Sequence, residues 1–271
     1  MERYIWLGAL GFVVGSYGTL IGAGGGFVLV PVLLLLYPHE NPQIITSISL
    51  AVVFFNALSG SWAYARMKRV DFKSGLLFAV ATIPGAILGA LSTASISRRL
   101  FDAVFGVLMI AASVFLLLYS SEEKETKESK QRFRLTRKIV GKDGTQYTFS
   151  YNPIFGAGLS VVVGYVSSFL GIGGGIIHVP VLAHLLNFPV HIATATSHFV
   201  LAIMALTGTT VHILTGSFTH GIRRTTALAI GVLIGAQVGA LLSHRVKGSW
   251  IFRALAIALA FVGVRILLMA L

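Results

Sequence analysis

The sequence predicts an all-α integral membrane protein made of two homologous helical repeats, each opening on a helix broken by glycines. Three observations carry this. The 271-residue chain is 55% hydrophobic and only 11% charged, with a mean hydropathy of +0.85, which sets it apart from soluble domains. Its apolar residues gather into long runs, most near the roughly 20 residues that one helical crossing needs. One phrase is also written twice: residues 20–36 read LIGAGGGFVLVPVLLLL, and residues 169–186 read FLGIGGGIIHVPVLAHLL.

In chain order, the first run, 4–37, contains Gly22, Gly24, Gly25, Gly26 and Pro31. One full crossing plus a short re-entrant helix fits it, and so do two crossings. Its start, MERYIWLGALGFVV, places one basic residue before an apolar core, as a secretory signal would. The matching segment near residue 160 is internal, so the first is read as retained. Runs at 43–65, 74–96 and 101–119 complete the first half. Trp62 and Tyr64, just before Arg66, Lys68 and Arg69, read as an interfacial aromatic belt.

Residues 120–151 differ from everything around them. They open as a charged tract, which reads as a solvated linker, and continue as an alternating stretch around GKDGT. There Leu135, Arg137 and Ile139 are expected to face Thr145, Tyr147 and Phe149 in a small β-hairpin. The eight Lys and Arg residues from Lys124 to Lys142 argue that this linker is cytoplasmic. Residues 66–69 would then also be cytoplasmic, and Arg98 and Arg99 outside. The runs 153–186, 192–214, 225–243 and 250–271 follow. The expected organisation is therefore a transmembrane repeat at 1–119, a linker at 120–151 and a second repeat at 152–271, with about eight spans plus short re-entrant helices.

The halves match residue by residue. Adding 149 to Gly22, Gly24, Gly25, Gly26 and Pro31 gives Gly171, Gly173, Gly174, Gly175 and Pro180. Adding 150 to Thr46, Ser47, Gly85 and Gly89 gives Thr196, Ser197, Gly235 and Gly239. Such repeats are common in secondary transporters, where substrate sits near the bilayer midplane at the repeat interface. Parallel and inverted repeats both fit, and inverted ones bring half-helix ends together more naturally.

Glycines release the backbone from the helix, and a break at membrane depth is tolerated only where protein or a wet cavity surrounds it. The helix restarting after each break offers bare N–H groups and a positive dipole end, a fit for an oxyanion. Two breaks facing one another across a shared cavity would make a path for a small anion. Close helix packing is the competing explanation, and it is the favoured one for the GxxxG-spaced Gly85/Gly89 and Gly231/Gly235/Gly239. Dinucleotide binding would need glycine at Phe27 or Ile176 and a preceding strand, neither of which is present.

The formal charge of +12 is better explained by cytoplasmic loops than by nucleic acid, since no basic soluble domain is present. The chain has no cysteine, which excludes disulfides and a Cys nucleophile. Acidic residues lie near run ends or in loops, so neither a carboxylate proton relay nor a carboxylate sodium site is expected.

The paired GAGGGFVLVPVL and GIGGGIIHVPVL, the TSISL and TATSHFVLA stretches that follow, and the basic linker resemble the TauE/SafE family over nearly the whole chain. The resemblance implies a prokaryotic plasma (inner) membrane transporter of sulfite, sulfoacetate or related organosulfonates. The small sulfur anion and the lipid bilayer are the expected partners, a homodimer is the assembly to test, and no cofactor or metal is expected.

Candidate substrate-binding residues follow from the breaks and the polar groups near them: Gly24, Gly25, Gly26, Thr46 and Ser47 in the first half, and Gly173, Gly174, Gly175, His178, Thr196, Ser197 and His198 in the second. Histidine titrates near neutral pH, so His178 or His198 is placed to carry a proton with the anion. The blander role for each is a neutral ring bonded to a neighbouring helix. A secondary transporter working by alternating access, proton-coupled or uniport, is the leading expectation. An anion channel, or a carrier of another small oxyanion or carboxylate, is the alternative. A membrane enzyme would need a nucleophile, a metal set or an acid/base pair that the sequence does not provide.

Overall fold

In the computed structural model of the chain, residues 2–118, 134–142, 144–243 and 248–270 are described. Among them are ten α-helices: α1 (Glu2–Ile21), α2 (Gly26–Leu36), α3 (Pro42–Arg66), α4 (Phe72–Ser92), α5 (Arg98–Leu118), α6 (Pro153–Leu170), α7 (Gly175–Pro180), α8 (Val190–Leu214), α9 (Ile222–Ser243) and α10 (Gly248–Ala270). The fold is that of an all-α membrane protein. Helices α3, α4, α6, α8 and α9 are long and apolar enough to cross a membrane by length and composition, and four shorter apolar helical stretches accompany them. The charged tract expected at 120–133 lies outside the described residues.

Local chemistry sets the helix starts. Asn41 and Asn152 cap α3 and α6 by accepting from the backbone N–H groups of Gln43 and of Ile154 and Phe155. Each is followed by a proline at the first helical position, where no N–H is needed. Asp71 caps α4 through the Ser74 N–H. Pro31 is absorbed within α2, whereas after Pro180 the chain widens into a π-helical turn over Val181–Leu185.

Packing is reciprocal between the halves. Helices α1 and α9 run parallel: Gly231, Gly235 and Gly239 lie against the backbone of Gly8, Phe12 and Ser16 in turn. Helices α4 and α6 repeat the contact, with Gly85 and Gly89 against Val161 and Tyr165. Adding 149 to Phe12 and Ser16 gives Val161 and Tyr165, so these are one contact made twice. The GxxxG glycines therefore serve close packing, because a side chain on them would meet a neighbouring carbonyl. Helices α3 and α8, which carry Thr46 and Thr196, run antiparallel: Gly60 meets His198 and Gly208 meets Leu50. So do α5 and α10, where Gly106 meets Leu267 and Ser113 donates to the Ala256 carbonyl at 2.7 Å.

Strands β1 (Leu135–Val140) and β2 (Gln146–Tyr151) form the hairpin expected in the linker, in a different register. Leu135, Arg137 and Ile139 stand opposite Tyr151, Phe149 and Tyr147, and Thr145 lies in the loop, its carbonyl accepting from the Gly141 N–H at 2.9 Å. The shift has a packing cause. This register turns Phe149 and Tyr151 inward, where both are buried against Phe188, with ring centroids 4.2 and 5.1 Å away. The hairpin is thus docked on the helices, on the face that carries the α3–α4 connection. The opposite face carries the α2–α3 connection and the start of α5, where Arg98 donates to the carbonyls of Leu34, Pro38 and Glu40.

Candidate functional site

Each break is built from three glycines in the left-handed region. Gly22, Gly24 and Gly25 have φ of 85°, 74° and 79°, and Gly171, Gly173 and Gly174 have 70°, 82° and 78°. L-residues avoid this region, which is why glycine occupies all six places. Gly25 and Gly174 cap the restarting helices with no side-chain hydrogen bond, leaving first-turn N–H groups without a capping side chain.

The two breaks touch. A side chain on Gly26 would stand 2.6 Å from the Ile172 carbonyl oxygen, and one on Gly175 would stand 2.7 Å from Ala23 Cα. Sequence reasoning expects a shared cavity between them; the structure instead brings the backbones into direct contact, because neither residue has a side chain to hold them apart. The open space lies to one side. A narrow void, too small to admit a water molecule, is lined by Gly173, Gly174, Gly175, His178, Ser197 and Thr82, with Met204 and other apolar groups beside them.

Two buried polar clusters flank the breaks. Beside the first, Thr19 donates to Asn56 Oδ1 at 3.1 Å, and His198 Nε2 lies 3.2 Å from Thr19 Oγ1. The hydroxyl's single proton is committed to Asn56, so His198 donates from Nε2. The Gly22 backbone lies beside the same ring. Tyr64, expected in an interfacial belt, is instead buried here; it donates to the Thr19 carbonyl at 2.7 Å and packs edge-on to His198. Trp62, under Arg66, does lie at the surface.

Beside the second break, Ser160 donates to the Gly156 carbonyl at 2.8 Å and lies 3.3 Å from His178 Nε2. His178 therefore donates from Nε2 as well, which leaves Nδ1, buried and without a partner, as a bare acceptor. Ser197 Oγ and Ser167 Oγ are likewise buried without partners. Buried polar atoms ordinarily have hydrogen-bond partners, so such a cluster marks a place where a ligand's polar groups fit.

The remaining candidates lie further out. Thr46 and Ser47 donate to the Gln43 and Ile44 carbonyls of their own helix, and Thr46 packs on Gly171. Thr196 Oγ1 accepts from the Asp71 N–H at 3.1 Å, near the hairpin face. Gly24 packs against Leu201 and Val53. Sequence reasoning missed Thr19 and Thr82, hydroxyls in apolar helices that only their neighbours make notable. Among the described residues no group of histidines and carboxylates could hold a metal ion.

A family model described as Sulfite exporter TauE/SafE matches residues 7–266 of the chain. The chain belongs to the TauE/SafE family. It is 32% identical to a Bacillus subtilis protein named probable membrane transporter protein YunE, over 97% of both chains. It is 26% identical to the probable membrane transporter protein MJ0441 of Methanocaldococcus jannaschii, over 73% of this chain and 68% of the other. A second Bacillus subtilis protein, probable membrane transporter protein YdhB, is 24% identical over 84% of this chain and 86% of its own. No solved structure matches it. As a TauE/SafE member the chain is a multi-pass membrane transporter, and the doubled glycine breaks are the centre of its packing.

Proposed function

We propose that this TauE/SafE transporter carries sulfite or a small organosulfonate by alternating access between two inverted repeats, in the plasma membrane of a prokaryote with the hairpin face cytoplasmic. One observation carries the reading: two restarting helices, each capped only by a left-handed glycine, meet back to back in the core beside partnerless buried polar groups. Helix N-termini stabilise oxyanions. The three acidic side chains described, Glu40, Asp71 and Asp102, are all paired to arginines away from the breaks, so none of these three opposes an anion there. The substrate-binding set comprises the first-turn backbone at Gly24, Gly25, Gly26, Gly173, Gly174 and Gly175, with His178, Ser197 and His198 around it and Thr46, Ser47 and Thr196 at the approaches.

In this state the void beside the second break is too narrow to admit water, as an occluded step of an alternating-access cycle would be. The tautomer of His178 supports proton coupling. A neutral ring offers an anion only a lone pair, whereas a ring protonated at Nδ1 offers a donor, so anion and proton would bind together. The test is uptake into proteoliposomes of sulfite, sulfoacetate, taurine, sulfate and chloride, with and without a pH gradient. Saturable flux of sulfite or a sulfonate, driven by the gradient, is expected. Non-saturating flux would point to a channel, and flux of chloride or sulfate alone would remove the sulfur-anion assignment.

A further inference from the structure

The far end of each half-helix is tied down by charge, on opposite faces of the protein. Past the second break, α7 and its π turn end at Leu186 and Phe188, under the hairpin. Arg137 of β1 donates to both oxygens of Asp71, at 2.8 and 3.1 Å, and the Asp71 side chain is only 2% exposed. Ser74 donates to the same carboxylate and accepts from Tyr151 Oη at 2.6 Å. The Asp71 N–H reaches Thr196 on α8, and Phe78 links Tyr151 edge-on to His178. A continuous chain of contacts thus runs from the hairpin to the void.

The opposite face has a counterpart. Past the first break, α2 ends at Tyr37, where Arg224 of α9 stacks 3.9 Å over the ring and donates to Glu40 at 2.7 Å. The two pairs occupy opposite faces without being repeat equivalents: adding 150 to Ser74, which binds Asp71, gives Arg224, whereas Arg137 belongs to the linker between the repeats.

We propose that the Asp71–Arg137 and Glu40–Arg224 pairs are the two gates of the transport cycle, the first closing the hairpin face and the second the opposite face. The proposal rests on the transport reading above. Opening one gate hydrates its carboxylate and frees the end of one half-helix, giving water and anion a path to the break. Removing the arginine leaves a carboxylate poorly compensated in the closed state alone, so the balance shifts towards the open one.

The natural absence of cysteine makes the test direct. Ser197→Cys places a thiol in the void, and Ser47→Cys places one at the matching position of the other repeat. Each is labelled in vesicles of known orientation with a membrane-impermeant maleimide. Arg137→Gln is expected to raise labelling of the Ser197→Cys thiol from the hairpin side by about tenfold or more, as expected where one partner of a buried pair is lost. It should leave the Ser47→Cys thiol unchanged. Arg224→Gln should do the reverse from the opposite face, by a smaller factor, because both its partners are about a quarter exposed. Tyr151→Phe, which removes one hydrogen bond of the first gate, serves if Arg137→Gln does not fold, and should raise labelling severalfold. Unchanged labelling, or an equal rise at both thiols, would overturn the gates. Labelling needs no substrate, so sided labelling without sulfite flux would retain the gates and discard the sulfur anion, and saturable flux without sided labelling would do the opposite.

Discussion

Replacing Gly175 with alanine tests whether contact between the breaks holds the core together. Gly175 has an ordinary helical backbone, so a methyl group there is not strained by conformation. It would instead meet the Gly22 carbonyl and stand 2.7 Å from Ala23 Cα, backbone atoms that cannot turn aside. Overpacking of this kind costs about 1–3 kcal/mol, and here the only relief is to separate the two breaks. Gly174→Ala isolates the other contribution. Its φ of 78° costs an L-residue about 1–2 kcal/mol, while its nearest neighbours, Ser167 Oγ at 2.8 Å and Met204 Cε at 2.9 Å, are side-chain ends that can shift. Gly158→Ala is the control, since nothing lies within 4 Å of the added carbon. Thermal unfolding in detergent, followed by intrinsic fluorescence, should show clear losses for Gly175→Ala and Gly174→Ala and none for Gly158→Ala. Proteoliposome flux should fall furthest in Gly175→Ala. A Gly175→Ala protein with the melting temperature and flux of the parent would refute the claim that the breaks pack through this contact.

Three further outcomes are expected. Gly85→Ala and Gly235→Ala should destabilise alike, by about 1–3 kcal/mol each, because each presses on the equivalent carbonyl of the other half; markedly unequal melting shifts would count against equivalent contacts. Ser49→Ala removes a buried donor to the Gly171 carbonyl at 2.6 Å and should cost about 1–3 kcal/mol, the usual effect of stranding a buried acceptor, again read from thermal unfolding. Burial pushes the Asp71 carboxyl up, but the hydrogen bonds from Arg137 and Ser74 outweigh it and hold the group below its ordinary 3.8. A depressed carboxylate adds stability above its unfolded value and loses it as pH falls through the folded one. The melting-temperature difference between the parent and Arg137→Gln should therefore stay constant from neutral pH down to about 5, well above the ordinary carboxylate range, and shrink only below 3.8; a shrinkage already near pH 6 would rule this carboxylate out as the cause.

Composition alone dictates the membrane. A chain this apolar and this poor in charge has no other medium in which it folds, and the positions of Gly22–Gly26 and Gly171–Gly175 were enough to locate both breaks, since left-handed backbone is nearly a monopoly of glycine. The GxxxG spacing identified packing glycines for the same reason: what a missing side chain permits is a local property. Tertiary structure decided which partners those features meet. Nothing local in residues 135–151 distinguishes a register that buries Phe149 and Tyr151 from one shifted by two, because both preserve the alternation; the pocket formed by Phe188 and Phe78 chooses. Tyr64 beside a basic cluster looks interfacial until Thr19 and His198, distant in sequence, surround it. Whether the breaks face a cavity or each other depends on two helices folding to the same depth from opposite directions. The pairing of Asp71 with Arg137 and of Glu40 with Arg224 likewise joins residues 66 and 184 positions apart, and such contacts exist only once the chain has closed.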